Sequence, residues 1–399
     1  MKQVVVVGGG ASGLMAAITA AREGAAVTIL EACDKPGKKI LATGNGRCNL
    51  TNRKQELSCY NGEHSFVSGI LDQWGMEETL SFFHDLGLWT KERDGWVYPR
   101  TDQAVSVLQL LLQELSRLKG KLKTQERVTN IVKNTDPASK RFTVYTEGWH
   151  YDADAVIIAC GTPASNIEGV SDQALQIASS FSVAAHAFRP SLVPLRCVRE
   201  NYFAKWAGVR AQAELKLLCD GKVVQTEIGE VQLTDYGISG IPVFQLSSEA
   251  GKLLEDGMKP VVEINFFPDL PLEEVKGRIQ DLAETYPEKR PEQLLTGLLP
   301  DKLIAAFCGK KTPWTKVLEQ ASCCRVRIAS TGPLKQAQIC AGGISAKELS
   351  SHMEVKKIPG LYFTGECIDI DGRCGGYNLQ WAWSTGAVAG KHAALMEDL

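Results

Sequence analysis

What this chain has little of narrows the possibilities first. No run of about 18 apolar residues occurs anywhere in the sequence, which leaves no candidate for a membrane-crossing helix. The apolar run at residues 4–7 stops at Gly8 and no small-residue cleavage site follows, so no secretory signal is expected. Charge is nearly balanced, with 44 Lys and Arg against 46 Asp and Glu and a net charge of -2. The basic footprint of a nucleic-acid or anionic-membrane binder is therefore missing. Twelve cysteines are present, yet none forms a CxxC, which removes both zinc-ligand spacing and a redox dithiol motif. A reduced, cytoplasmic protein without a metal, a nucleic-acid partner or a membrane is the expectation. Internal repeats and low-complexity segments are also absent.

The 399 residues are 44% hydrophobic, enough for about two or three domains. Residues 3–31 read as a β-branched strand, a glycine turn, a helix ending at Gly24 and a second β-branched strand. Gly8, Gly10 and Gly13 form a GxGxxG at the strand-to-helix junction, and Glu31 lies 18 residues beyond Gly13. Each position has a mechanical reason. Gly8 allows the tight turn, Gly10 lets the backbone approach a pyrophosphate, Gly13 lets helix and strand pack closely, and Glu31 accepts ribose hydroxyls. The helix N-terminus faces the negative charge. The motif alone does not separate FAD from NAD, but an acid at position 31 argues against a 2'-phosphate.

Further along, amphipathic helices are expected between residues 65 and 120, separated by a β-hairpin at 88–99 turning on Asp94-Gly95. Residues 123–159 read as three strands. In the first, Val128 offers its backbone to an adenine; the last, 150–161, ends at Cys160 and Gly161, where a chain passes close to a bound dinucleotide. For Cys160 a buried core thiol is the favoured reading. The layout suggests a discontinuous Rossmann-type α/β domain, residues 1–190 and 336–399, around an inserted substrate or cap domain, 191–335. The insertion reads as β-rich over about 191–270, helical over about 271–320, with a returning strand over about 321–335.

The C-terminal segment favours FAD. A strand runs into Gly365 and Glu366, and a glycine turn then leads into a helix, with Asn378 as the expected N-cap. A dinucleotide spanning from the first helix to this last one is long, with its pyrophosphate at Gly10 to Gly13, its ribityl chain near Glu366 and its flavin at the last helix. That helix's positive end would stabilise charge on a reduced flavin.

"VVVVGGGASGLMAA", "KPGKKILATGNGRCNLTN", "LTDYGISG" and "GLYFTGECIDIDGRCGGYNLQWAWSTGAVAG" resemble the signatures of the BaiN-like bacterial flavoproteins. The similarity runs over essentially the whole chain. It implies a two-dinucleotide-type FAD fold with an inserted β-barrel and helical domain, and noncovalent FAD. Activities in that family include reduction of ring double bonds in 3-oxo bile acid intermediates and oxidation of an amino ketone. By position, the resemblance places FAD contacts on Gly8, Gly10, Ala11, Ser12, Gly13, Glu31, Lys39, Gly44, Asn45, Gly46, Arg47, Cys48, Asn49, Val128, Gly365, Glu366, Gly372, Gly376, Tyr377, Asn378 and Leu379. The chain departs from the family at Trp96, where arginine is common, at Asp235, where histidine is common, and after Cys160, where a glycine-rich "GSTGDG" is missing.

With FAD bound, the expected chemistry is hydride transfer through flavin N5 to an activated C=C bond of an apolar carbonyl substrate, with NADH or NADPH as transient donor. The alternative is an oxidase of a small amine or amino ketone that releases hydrogen peroxide. No second GxGxxG follows a strand, so a dedicated nicotinamide domain is not expected. Tyr236 and Tyr377 are candidate hydrogen-bond donors to the carbonyl, Arg373 or Arg47 electrostatic partners, and Asp235 a proton-handling group. Arg47 is equally a counter-charge for the pyrophosphate. Cys48 has no adjacent histidine, so it reads as a wall of a cofactor loop rather than a nucleophile, with Gly44 and Gly46 allowing close backbone approach.

Overall fold

Residues Gln3–Val7 form the middle strand of a five-stranded parallel sheet, and all four of its valines are buried. Burial on both faces is what a β-branched run without alternation demands. The strand order is Leu361–Phe363, Ala155–Ile158, Gln3–Val7, Ala26–Leu30, Lys121–Lys123, with every neighbouring pair parallel. One strand of this sheet is therefore supplied from the far end of the sequence. The computed structural model describes residues 1–136, 138–309 and 311–396. They divide into two compact units, residues 1–189 with those from 339 onward, and residues 190–338.

In the first unit, the helix Ala11–Arg22 and the C-terminal helix Tyr377–Leu395 pack backbone to backbone. A Cβ on Gly386 would lie 2.4 Å from the Ser12 carbonyl oxygen, and one on Gly390 only 2.2 Å from that of Ala16. The GxxxG spacing of these two glycines is thus a contact requirement on one helix face.

The segment expected as one strand at 150–161 is two strands. His150–Ala153 joins an antiparallel sheet with Phe142–Thr146 and Val128–Lys133, while Ala155–Ile158 enters the parallel sheet. Asp154 makes the break. Its N–H donates to the Gln3 carbonyl at 2.8 Å, and its carboxylate accepts from Gln3 N–H at 2.7 Å and from Lys140. The 88–99 hairpin is formed by Thr90–Arg93 and Trp96–Pro99. Asp94 and Gly95 both have positive φ, 54° and 89°, the combination that a two-residue turn of matching twist needs. Trp96–Pro99 also pairs with Thr51–Asn52, which fixes the far end of the glycine-rich 43–52 loop.

The second unit holds a closed six-stranded barrel: Leu195–Cys197, Gly237–Ser239, Lys222–Leu233, Arg210–Cys219, Val261–Asn265 and Cys324–Thr331, in that order around the ring. Its core includes Leu215, Leu217, Val231, Val262, Ile264 and Val326, all essentially inaccessible. Helices Leu272–Thr285, Pro291–Leu295, Asp301–Phe307 and Trp314–Ser322 follow. The region read as short strands also contains a 15-residue helix, Ile241–Glu255, with Pro242 in its first turn and Val243, Leu246, Ala250 and Gly251 buried. Apolar spacing of three and four over these residues is the helical signal, and Pro in a first turn starts a helix rather than breaking it. The architecture is the expected Rossmann-type α/β fold with a barrel-bearing insertion. No helix among the described residues is long and apolar enough to cross a membrane.

Candidate cofactor site

The GxGxxG turn has the shape a pyrophosphate needs. A Cβ on Gly8 would sit 2.5 Å from the Ala159 carbonyl oxygen and one on Gly13 2.0 Å from that of Gly8, but a Cβ on Gly10 would meet no atom within 4 Å. Two glycines thus close the strand-to-helix junction while the third faces open space at the helix start. The first turn, with Ala11 and Ser12, has no side-chain cap and no acidic residue, so its orphan N–H groups and the helix dipole remain available to an anion. Glu31 closes the turn from below. One carboxylate oxygen accepts from Gly9 N–H at 2.7 Å and the other from Cys33 N–H at 2.8 Å. Each oxygen keeps an acceptor position for a ribose hydroxyl.

The 43–52 loop follows. Gly44, Asn45, Gly46 and Cys48 all adopt positive φ, and residues 44–47 are exposed while Cys48, Asn49 and Leu50 are buried. Burial pushes the Cys48 thiol up to about 12. Arg47 is exposed and forms no ion pair among the described residues, leaving its guanidinium available to a phosphate. Asn49 takes part from the buried side. With its amide oriented to satisfy its neighbours, it donates to the Val97 and Thr51 carbonyls and accepts from Gly376 N–H at 3.3 Å.

That last contact ties the loop to the C-terminal helix. Thr51 Oγ1 donates to Gln380 Oε1 at 2.6 Å, Asn52 Nδ2 to the Gly375 carbonyl at 2.9 Å, and Trp383 Nε1 to the Leu50 carbonyl at 3.0 Å. Gly376, at φ 98°, caps the helix without a side-chain bond, and a Cβ there would come within 2.6 Å of the Thr51 backbone. Asn378 is therefore not the N-cap. It lies inside the first turn and holds both backbone groups of Gly372, accepting from its N–H at 2.8 Å and donating to its carbonyl at 2.7 Å. The αL glycine does the capping because loop 43–52 passes too close for any side chain. The first-turn amides of Tyr377, Asn378 and Leu379 precede the first residue that can bond back into the helix, Gln380. They form a second donor cluster without acidic competition.

Glu366 follows Gly365, which packs against the start of the first helix and donates its N–H to Thr385 Oγ1 of the last helix at 2.9 Å. Its Oε2 is 2.6 Å from Lys39 Nζ, so the structure brings together two residues proposed as contacts from distant motifs. Its Oε1 accepts from the Thr162 hydroxyl and from Cys340 N–H. Gly365, at φ 74°, is packed against Ser12 of the first helix, where a Cβ would stand 2.5 Å from Ser12 Oγ. Gly161, at φ 67°, faces open space, and burial pushes the adjacent Cys160 thiol up to about 12. Val128 is less free than its sequence position suggests. Its carbonyl accepts from Gln173 Nε2 at 2.5 Å, which leaves one acceptor position on that oxygen. Thr162, Cys340, Thr51 and Gln380 also hold this candidate site and were not singled out in the sequence. Of these only Gln380 carried a signal, a polar residue between apolar Leu379 and Trp381 in the first turns of a largely buried helix.

The proposed catalytic residues are differently placed. Tyr377 donates its hydroxyl proton to the Lys54 carbonyl at 2.8 Å, packs edge-on against Tyr60 at 5.7 Å, and has its hydroxyl pKa raised by burial. A proton already committed to a backbone carbonyl is not free for a substrate, which corrects its assignment as a donor. Arg373 lies near the Tyr377 hydroxyl, and its N–H donates to the Cys59 carbonyl at 2.9 Å. In the second unit, Asp235 is exposed at the tip of the hairpin between Lys222–Leu233 and Gly237–Ser239. The half-buried Tyr236 beside it lies under the Arg196 guanidinium at 5.3 Å. No group of three or more metal-ligating side chains occurs among the described residues.

The open space at Gly10, the two uncapped helix starts and the Glu366 carboxylate fit an FAD. These residues would hold its phosphates at Gly10 to Ser12, its ribose at Glu31 and its flavin end beside Gly376 to Leu379.

Comparison with known proteins agrees. The HI0933-like protein Rossmann domain family matches residues 2–392. A 3-dehydro-bile acid delta(4,6)-reductase of Clostridium scindens is 41% identical, covering 99% of both chains. A ribosomal RNA dihydrouridine synthase of Haemophilus influenzae is 27% identical over 96% of both. Among solved structures, a 3-ketosteroid-delta4-(5alpha)-dehydrogenase from Rhodococcus jostii superposes with a TM-score of 0.52 at 14% identity, covering 99% of this chain and 97% of that one; this likeness speaks for the fold. With its motifs, its fold and its full-length match in accord, the chain belongs to the HI0933-like Rossmann-domain family, BaiN-like in its signatures, and is an FAD oxidoreductase.

Proposed function

We propose that this protein reduces an activated C=C bond of an apolar enone of the 3-oxo steroid or bile-acid type, with electrons drawn from NADH or NADPH. One observation carries the choice of reaction: the end-to-end 41% identity with a reductase named for such bonds. The net charge of -2 supports a small-molecule substrate over the RNA named for the more distant relative.

FAD, when bound, supplies hydride chemistry at its N5. The chain's part is to bind, orient and stabilise charge. The N-terminus of Tyr377–Leu395 presents uncompensated amides that favour a negative flavin edge. Arg373 adds a cation beside that helix start. The exposed Asp235 and the half-buried Tyr236 share one turn of the second unit and are the proposed proton-handling and carbonyl-binding residues. Tyr377 shapes the wall by holding Lys54.

The test is anaerobic. The purified yellow protein is mixed with NADH or NADPH, then with either oxygen or an unsaturated 3-oxo steroid. Bleaching by a nicotinamide and recolouring by the enone is the expected result. Recolouring only by oxygen, with peroxide released, would replace the reductase with an oxidase, and a protein that binds no flavin would overturn the proposal.

A further inference from the structure

Glu366 is held by donors from three separate stretches of chain: Lys39 in the helix Lys38–Ala42, Thr162 just beyond the strand Ala155–Ile158, and Cys340 in the strand Ile339–Ile344. A carboxylate has about four acceptor positions, and three are filled here. Oε1 takes the Thr162 hydroxyl and the Cys340 N–H at 3.2 Å, and Oε2 takes Lys39 at 2.6 Å. The open position is on Oε2, and its direction depends on what stops the carboxylate from turning.

Lys39 cannot do this alone. Its ammonium is a point charge on a flexible stem, and its side chain is 28% exposed, so it attracts without fixing a plane. The Cys340 bond is the longer of the two on Oε1. Thr162 is 1% exposed and β-branched, so few rotamers are open to it. Its hydroxyl also accepts from Ala164 N–H at 3.4 Å, which leaves its single proton for Glu366. It follows Gly161, whose left-handed φ turns the chain towards the carboxylate.

We infer that Thr162 is a positioning residue: its hydroxyl fixes the carboxylate plane of Glu366 so that the remaining Oε2 position receives a hydroxyl of the cofactor's polyol chain. Thr162 itself does not touch the cofactor. The inference rests on FAD occupying this site.

The experiment measures FAD dissociation and the flavin midpoint potential on full-length holoprotein, as wild type, T162V and T162S, together with the melting temperature of each after FAD removal. T162V is expected to weaken FAD binding about tenfold, the scale of a hydrogen bond to a charged group, and to shift the potential. T162S should return both to within about twofold, because serine keeps the donor, and the FAD-free melting temperatures of all three should agree. Wild-type binding with T162V unchanged overturns the inference alone, as does equal weakening in T162S or a loss that follows a fall in FAD-free melting temperature. A wild type that binds no FAD overturns the underlying reading and this inference with it. If valine prevents folding, T162A is measured against the same outcomes.

Discussion

Cys48 lies at the base of the 43–52 loop with its thiol pushed up to about 12 by burial. At pH 8 only about one molecule in ten thousand would carry the thiolate. Alkylation of the native protein followed by mass spectrometry is expected to leave Cys48 unmodified, and C48A to retain turnover with FAD bound; loss of turnover in a flavin-replete C48A would restore the nucleophile. His392 makes a second residue-level prediction. Its ring is stacked on His352 at 3.7 Å, and burial, then His352, then Lys391 lower it to about 4 from an ordinary 6.5. Between those values the unfolded chain binds a proton here and the native chain does not, so stability rises with pH across the window and is lost as pH falls through it. H392F should therefore show a flatter melting temperature against pH between 7 and 4 than wild type. An unchanged profile would count against the assignment. Neither property was fully legible in sequence: the missing histidine neighbour hinted at an inert Cys48, but the His352 stack joins residues 40 positions apart.

Secondary elements were readable where one local rule dominates. The first strand, the glycine turn and its helix follow from β-branched residues and a fixed glycine spacing, and the Asp94-Gly95 hairpin from turn chemistry. Reading failed where a neighbour decides. Asn378 has good N-cap chemistry, but the approach of Thr51 demands glycine at position 376. Asp154 divides one apparent strand because Gln3 and Lys140 hold it from both sides. Thr162 and Glu366 meet across 204 positions, which no local pattern encodes. The close contact of the two long helices is testable at this scale. In G390A the new methyl would stand 2.2 Å from a backbone oxygen, so the helices must part, at about 1–3 kcal/mol by the usual cost of overpacking. The urea midpoint should fall accordingly, and FAD affinity with it, because the first helix carries the amides proposed to hold the phosphates. A G390A protein as stable as wild type would show that the helices have room to slide.

For the whole molecule, the α/β class and the FAD site were within reach of the sequence because they rest on motifs at both ends of the chain. The substrate was not, since the proposed proton-handling Asp235 and its half-buried neighbour Tyr236 lie in a hairpin turn whose chemistry no local spacing defines. One feature of the parallel sheet reaches further. The strand Ala155–Ile158 has Gln3–Val7 on one side, but on the other it waits for Leu361–Phe363, 203 positions beyond Ile158. During synthesis the entire second unit must be made before that sheet edge is covered and before Glu366 and the last helix exist. A chain ending at residue 360 is expected to keep the GxGxxG turn, retain no FAD on size-exclusion chromatography and aggregate through its open edge; a soluble, yellow truncation would refute this. Cofactor capture at both ends of the site therefore waits until the second unit has been made, and until then the flavin-free nascent chain is exposed to chaperones and proteases.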